Sequence, residues 1–175
     1  MTMPRSGVVD RADGISHLSP TYAAAFLGLL RAAEVIDRDL DRELRQAHGI
    51  GLPSFEILLH LGAFSPEGTL GMGRLTAQAP LSQSRVSRIV GELADRGLVD
   101  RGTSTDDSRS VLVSLTEAGR ELLTEASHTH LDGLGRVLFS RLTRVEVAEL
   151  ARLTRKVLGD RAPGVGLPRT PVADR

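Results

Sequence analysis

The stretch that decides the fold reads Ser82-Gln-Ser-Arg-Val-Ser-Arg-Ile-Val-Gly-Glu-Leu-Ala-Asp-Arg-Gly-Leu-Val99. Its apolar residues recur at i, i+3, i+4 and i+7, a spacing that places them on one face of a helix. They are Val86, Ile89, Val90 and Leu93. Ser82 suits the N-cap and Gly97 the position after the last turn, so the stretch predicts a helix from about Ser82 to Arg96.

The opposite side of this helix's first two turns carries small, hydrogen-bonding or guanidinium side chains: Gln83, Ser84, Arg85, Ser87 and Arg88. A helix that enters a DNA groove needs slim residues there, so that it can approach the base edges. It also needs donors for guanine O6 and N7 and for phosphates. The free amides of its first turn favour phosphate as well. An ordinary amphipathic surface helix shows the same pattern, so the flanking sequence has to distinguish the two.

The flanks match a helix-turn-helix followed by a wing. Upstream, a short helix is predicted around residues 74–79, with Pro80 and Leu81 as the turn. Two helices joined in this way are the layout in which the second helix reads DNA. Downstream, residues 98–102 and 111–115 read as two short strands, and the polar residues between them supply the turn. Such a turn also fits a merely solvated hairpin, but the combination favours DNA binding.

Longer helices are predicted on both sides of this region. One begins at about Ser19 with Pro20 in its first turn, and its apolar stripe runs to Leu44. Towards the other end, Thr116 caps a helix that runs towards Phe139, and Thr143 with Glu146 forms a capping box for a final helix. These end helices carry more apolar surface than a small winged domain covers, which favours a homodimer. The alternative is a monomer that folds them onto itself.

Composition limits the classes of function. The chain has 175 residues, a formal net charge of zero and no cysteine. The lack of cysteine excludes disulfides, thiolate zinc sites and thiol-based redox sensing. The N-terminus is polar and no apolar run approaches membrane-spanning length, so a cytoplasmic protein is expected. Because the net charge is not basic, any DNA-binding surface must arise from local arrangement.

Three stretches together resemble the MarR family of bacterial transcriptional regulators: residues 81–90, residues 93–99, and residues 107–119, which end in Thr-Glu-Ala-Gly. The resemblance covers about residues 20–158. It implies that Ser82 to Arg88 read the DNA groove, that Arg109 is the arginine at the wing tip, and that Asp107 pairs with and orients basic side chains. Two positions depart from the pattern. Pro80 stands in the turn where glycine is usual, and Ser108 stands where many relatives have a second wing arginine.

The expected fold is therefore mainly α: a winged helix-turn-helix of about six helices plus a two- or three-stranded wing, with a helical dimerisation region. Residues 1–18 are expected to be a flexible N-terminal segment and residues 159–175, rich in proline and glycine, a flexible tail. The MarR-like unit spans 19–158. Its dimerisation helices are placed at about 19–48 and 117–158, and its winged helix-turn-helix at about 53–116.

The function expected from the resemblance is that of an effector-responsive repressor that binds a pseudo-palindromic duplex operator as a homodimer. In the family, a small aromatic or phenolic anion often binds between the dimer helices and the winged domain, and Arg31, His60 and Phe64 are candidate lining residues. One alternative is a winged-helix protein-interaction module without DNA binding, which the neutral net charge favours. Another is a small metal-binding or ligand-storage protein.

Other candidate sites are weak. His128 and His130, with Glu125 nearby, suggest a metal site, but two residues that lie two apart on a helix point to different sides. No nucleophile context and no glycine-rich phosphate loop is present. No metal, cofactor or enzymatic activity is therefore expected.

Overall fold

The computed structural model describes residues 5–63, 65, 67–79, 81–103 and 111–159. The chain divides into two units, Met1–Asp39 and Leu40–Arg175. The first long helix, α1 (Pro20–His48), begins in the first unit and ends in the second.

The first unit begins with a short hairpin. After a 3-10 turn at Arg5–Gly7 come β1 (Val8–Asp10) and β2 (Ser16–Leu18), which pair antiparallel. Gly14 lies in the turn with φ of 81°, a conformation that favours glycine. Residues 1–18 are expected from the sequence to be flexible, and their described part, from residue 5, contains this hairpin.

Helix α1 begins and ends as its sequence predicts. Its first residue is Pro20. Proline costs no hydrogen bond there, because the amides of a helix's first turn have no intrahelical partner. Gly49, with φ of 66°, follows its last residue and donates its amide to the carbonyl of Arg45. Among the described residues, no helix has both the length and the apolar character needed to cross a membrane.

The second unit holds the remaining elements. Their order is α2 (Leu52–Ala63), β3 (Thr69–Gly71), α3 (Met72–Gln78), α4 (Gln83–Asp95), β4 (Val99–Thr103), β5 (Val111–Leu115), α5 (Glu117–Val137), a 3-10 turn (Phe139–Arg141) and α6 (Arg144–Leu158). The result is the predicted winged helix-turn-helix with six α-helices in the described residues. Helix α5, predicted to run towards Phe139, ends at Val137, and the 3-10 turn begins at Phe139.

The wing is a three-stranded antiparallel sheet in the order β3-β5-β4. The strand pattern predicts β4 and β5, which pair from Val99 opposite Leu115 to Thr103 opposite Val111. Strand β3 adds the third strand by pairing Leu70 with Val113. It is three residues long, too short for an apolar alternation to predict a strand, and it forms by pairing with β5.

The core of the second unit lies among the end of α1, helices α2 to α5 and the sheet. The largest side chains with under 2% exposure are Phe55, Leu44, Ile57, Leu58, Leu61, Leu75, Leu93, Val86, Val90, Val99 and Val113. Burial of one such side chain contributes about 1.5–3 kcal/mol. The back of α4 and the middle of β5 thus share one aliphatic core, which fixes the orientation of α4.

Both predicted caps of the last two helices form. Thr116 Oγ1 accepts the amide of Gly119 at 3.0 Å and donates to the carbonyl of Gly97 at 2.8 Å. It therefore ties the turn after α4 to the start of α5. Thr143 and Glu146 form the reciprocal capping box of α6. The hydrogen bonds from the amide and hydroxyl of Thr143 hold the pKa of Glu146 below its usual value.

We expect Thr116→Ala to lower the free energy of unfolding by about 1–2 kcal/mol, because it removes the cap of α5 and its bond to the preceding turn. Thr116→Ser keeps the hydroxyl and serves as the control. Urea unfolding of the two variants and the wild type at equal concentration measures the effect. Equal stability of the alanine and serine variants would show that neither bond contributes.

Candidate nucleic-acid interface

The start of α4 is set by Ser82. This residue is extended, with φ of −68° and ψ of 151°, and its side-chain oxygen accepts the amide of Arg85 at 3.4 Å. The hydroxyls of Ser82 and Ser84 lie 3.2 Å apart. The cap leaves the first turn of α4 exposed and in a defined orientation.

The two faces of α4 differ as the sequence predicts. Val86, Ile89, Val90 and Leu93 are at most 5% exposed and pack into the core. The residues predicted to read the groove, Ser82, Gln83, Ser84, Arg85, Ser87 and Arg88, are all exposed. Ser84, Arg85 and Arg88 line a shallow surface depression of about 310 Å³. The structure thus brings two guanidinium groups and a hydroxyl together on one solvent-facing surface, which we call the reading surface (Ser82–Arg88).

Helix α3 supports α4 from the core side. Leu75 of α3 is fully buried, and α3 contacts both α2 and α4. Residues 79–82 join the two helices, and within them Pro80 lies outside the described residues. This arrangement leaves the reading surface free while the apolar back of α4 is held in place.

The wing continues from α4 through a left-handed glycine, Gly97, with φ of 69°. The segment between β4 and β5 carries the predicted wing-tip residues Asp107 and Arg109, together with Ser108. All three lie outside the described residues. Their roles in DNA binding therefore stay predictions.

The reading surface has an acidic neighbour that the sequence analysis did not single out. Glu92 Oε1 lies 3.7 Å from Arg88 Nε, and both side chains are exposed. The i, i+4 spacing of the pair is visible in the sequence and could have indicated it. A surface pair of this kind contributes little to stability.

The histidines differ in environment. His128 is exposed, whereas the ring of His130 packs against Phe55 with centroids 4.7 Å apart. Nδ1 of His130 is buried without a hydrogen-bond partner. Burial lowers the pKa of His130. Within the described ranges, no group of three or more His, Cys, Asp or Glu side chains is placed to hold a metal ion.

The residues suggested as lining an effector pocket have other contacts. Arg31 in the first unit pairs with Glu34 at 2.8 Å. His60 in the second unit is half-buried, with Nδ1 2.7 Å from the carbonyl oxygen of Glu56. Phe64 lies outside the described residues.

We expect His130 to make the stability of the fold depend on pH. Its pKa in the folded chain lies below the ordinary value of 6.5, so below that pH the unfolded chain binds more protons. The free energy of unfolding therefore falls as the pH drops from about 6.5 towards the lowered pKa. We expect His130→Leu to remove this pH dependence. The free energy of unfolding of the variant, relative to that of the wild type, should therefore increase as the pH is lowered from 7.5 to 5.5.

Urea unfolding at the two pH values measures the difference. The matched control is His128→Gln, which changes an exposed histidine of the same helix and should follow the wild type. A wild type and a His130→Leu variant with parallel pH profiles would contradict the assignment.

Comparison with known proteins identifies the family. The MarR family model matches residues 48–110, which run from the end of α1 through the helix-turn-helix to the residue before β5. Sco3205, a MarR family transcriptional regulator from Streptomyces coelicolor solved in complex with DNA, has a TM-score of 0.78 and 29% identity to this chain. The match covers 87% of this chain and 98% of that chain. The chain belongs to the MarR family.

Further relatives agree with this membership. AbsC, a MarR family transcriptional regulator from Streptomyces coelicolor, has a TM-score of 0.75 and 25% identity over 83% of this chain and 95% of its own. The HTH-type transcriptional regulator MT0903.1 of Mycobacterium tuberculosis is 33% identical over 54% of this chain and 66% of its own length. The transcriptional repressor MprA of Escherichia coli is 30% identical over 66% of this chain and 65% of its own length. This MarR-family chain thus spans just under two thirds of the length of the curated relatives it matches.

Membership also bears on enzymatic activity. The matched family consists of transcriptional regulators, which are not enzymes. This agrees with the expectation from the sequence, in which no catalytic constellation is present.

Proposed function

We propose that this MarR-family chain binds duplex DNA sequence-specifically through the reading surface and acts as an effector-responsive repressor in the form of a homodimer. The observation that carries the proposal is the division of α4. The apolar side chains on one face of the helix are at most 5% exposed, while Ser84, Arg85 and Arg88 lie together on the solvent-exposed face. Guanidinium groups at the start of such a helix are suited to guanine edges and phosphates.

Similarity to a DNA-bound relative supports the DNA-binding part. Sco3205 was solved in complex with DNA, and 87% of this chain matches its fold. In a helix-turn-helix, the second helix enters the major groove with its N-terminal residues on the base edges. Residues Ser82 to Arg88 occupy this position in α4.

The exposed apolar side chains support the homodimer. Helix α6 has no buried residue, and its Val145, Leu150, Leu153, Val157 and Leu158 are between 36% and 78% exposed. In the first unit, α1 exposes Phe26, Leu27, Leu29 and Leu30 by about half. Apolar faces of this extent are typical of an interface between copies. A twofold dimer would place its reading helices about one DNA turn apart and would therefore read a pseudo-palindromic site.

The direction of regulation and the effector are inferred from relatives. MprA of Escherichia coli is a transcriptional repressor, which favours repression by this chain. A small aromatic or phenolic anion is the proposed effector class, because such ligands are common in the family. Its effect would be a coupling between the effector site and the DNA site.

Selection of duplexes from a random DNA pool, followed by titration of the selected duplex at two salt concentrations, tests the proposal. We expect a twofold-symmetric site whose affinity falls steeply with salt, because bound phosphates release counterions. Sedimentation of the protein alone and with the duplex gives the stoichiometry. Protein unfolded and refolded to strip any bound effector is the control.

If the stripped protein enriches no sequence and binds DNA only weakly, the repressor proposal fails. The neutral net charge would then favour the second candidate, a winged-helix module that binds a protein partner.

A further inference from the structure

The C-terminal end of α4 is held from two sides. On one side Arg96, the residue that follows the helix, donates from Nη1 to the carbonyl oxygen of Gly49 at 3.0 Å. On the other side Thr116, at the start of α5, donates from Oγ1 to the carbonyl oxygen of Gly97 at 2.8 Å. The amide of Thr116 also donates to the carbonyl oxygen of Leu98 at 3.2 Å. We call Arg96, Gly97 and Leu98 the joint.

The carbonyl group that Arg96 binds lies in a constrained connection between α1 and α2. Asp41 Oδ1 accepts the amide of Leu52, the first residue of α2, at 2.9 Å. Gly51 has no room for a side chain beside this bond, because a Cβ there would lie 2.7 Å from Oδ1 of Asp41. The acceptor of the Arg96 bond therefore belongs to a stretch of backbone that has little freedom to move.

The end of α1 is in turn packed against α5. The two helices approach closely at Gly133, where a Cβ would lie 2.6 Å from Cδ2 of Leu40. Further along the same contact, His48 Nε2 lies 2.8 Å from Oγ1 of Thr129. Residues 40–48 and α5 are thus connected to each other, and the joint is hydrogen-bonded to both sides of this pair of helices.

The reading surface lies at the opposite end of α4 from the joint. With 13 residues, α4 is about 20 Å long, and its hydrogen-bonded backbone transmits a displacement of one end to the other. The core contacts of α4 join it to α2, α3 and β4, whereas the bonds of the joint connect it to the end of α1 and the start of α5. In a homodimer built on these long helices, each reading surface is therefore placed through the joint of its own protomer.

We infer that Arg96 and Thr116 are positioning residues that fix the separation of the two reading surfaces in the dimer, and with it the half-site spacing that the protein accepts. The inference rests on the proposed function. One base pair changes the separation of two half-sites by about 3.4 Å and rotates one relative to the other by about a tenth of a turn. A reading helix that is free at one end adapts to a wrong spacing more readily than one that is held at both ends.

Spacing profiles test the inference. Affinity is measured for the selected duplex and for duplexes in which one base pair is inserted or deleted between the half-sites, with the wild type, Arg96→Met and Arg96→Lys. Methionine is similar in length but has no donor, so we expect the ratio of the affinities for the selected and altered spacings to fall about two- to tenfold, the range that one hydrogen bond supplies. Lysine retains a donor and should restore most of the wild-type ratio.

Two comparisons separate spacing from charge and from the cap of α5. Arg101→Met removes the charge of an exposed arginine in β4 and should leave the shape of the profile unchanged, whatever it does to the affinity itself. Thr116→Ala should broaden the profile, whereas Thr116→Ser, which keeps the hydroxyl, should not. Binding is measured at a temperature at which circular dichroism shows every variant to be folded. If Arg96→Met lowers the affinity equally for every spacing, Arg96 acts only through charge or stability and the inference is overturned.

A distance measurement on the free protein gives a second readout. The chain has no cysteine, so Gln83→Cys, at the exposed start of α4, carries a single spin label in each protomer. Pulsed electron paramagnetic resonance then gives the distribution of distances between the two reading helices. We expect Arg96→Met to broaden this distribution and Arg101→Met to leave it unchanged. Identical distributions for wild type and Arg96→Met would overturn the positioning role.

The two experiments distinguish failure of the inference from failure of the proposed function. A selected DNA site with unchanged profiles and distances in all variants would leave the DNA-binding function intact and overturn the role of the joint. If the distances broaden but the wild type enriches no DNA site, the DNA-binding function fails while the joint still sets the separation of the helices. A label with no partner within range would show that the chain is not a dimer and would overturn both the homodimer and the inference.

Discussion

Replacement of Gly119 by alanine is expected to lower the free energy of unfolding by about 3 kcal/mol, the upper part of the range for overpacked sites. A Cβ at this position would lie 2.0 Å from the carbonyl oxygen of Leu98 and 2.9 Å from Cδ1 of Leu115. The Leu98 oxygen is backbone and cannot move to another rotamer. It is also held by the amide of Thr116 at 3.2 Å.

Thermal unfolding measures this effect. For a chain of this size, a loss of about 3 kcal/mol corresponds to a fall in Tm of roughly 6–12 °C. The matched control is Gly135→Ala in the same helix, where a Cβ meets nothing within 4 Å. Because alanine favours helix more than glycine, that control should be neutral or stabilised by up to about 1 kcal/mol. Equal Tm values for the two variants would show that α5 and Leu98 can separate without cost.

The second large effect concerns DNA affinity. Arg85→Ala and Arg88→Ala are each expected to cost about 1–3 kcal/mol of binding to the selected duplex, if they contact bases. This range corresponds to an affinity loss of about 5- to 150-fold. The physical reason is the loss of guanidinium donors from the reading surface, where both side chains line the same depression.

Controls separate base reading from general charge. Arg155→Ala removes the same charge from α6 and should change affinity only slightly. Arg88→Lys keeps the charge but loses the planar fork, so it should bind the scrambled duplex like wild type and the selected duplex less tightly. Titrations of both duplexes at two salt concentrations measure these differences. Wild-type affinity in both alanine variants would place the reading segment elsewhere.

Local signals allowed much of the site to be predicted from the sequence. Ser82, Thr116 and Thr143 each bond an amide three residues ahead, so their caps depend on nearby residues alone and form as predicted. The apolar spacing of Val86, Ile89, Val90 and Leu93 likewise determined which face of α4 is buried. Once that face was known, the exposure of Arg85 and Arg88 followed.

Contacts between distant segments could not be predicted in this way. Strand β3 has only three residues and exists because β5 pairs with it. Arg96 lies at the end of α4 and Gly49 follows α1, so no spacing in the sequence relates them, although Arg96 Nη1 donates to the carbonyl oxygen of Gly49 at 3.0 Å. The i, i+4 pair of Arg88 and Glu92, by contrast, was visible in the sequence.

The sequence by itself therefore determined the order of the helices, their caps, the buried face of α4 and the residues on its exposed side. These features depend on periodicity and on hydrogen bonds within a few residues. The tertiary structure decided the third strand, the close contact of Gly119 with Leu98 and the hydrogen bond from Arg96 to the carbonyl of Gly49. The reason is that such contacts join residues far apart in the chain, and their geometry is set by the packing of whole elements against a shared core.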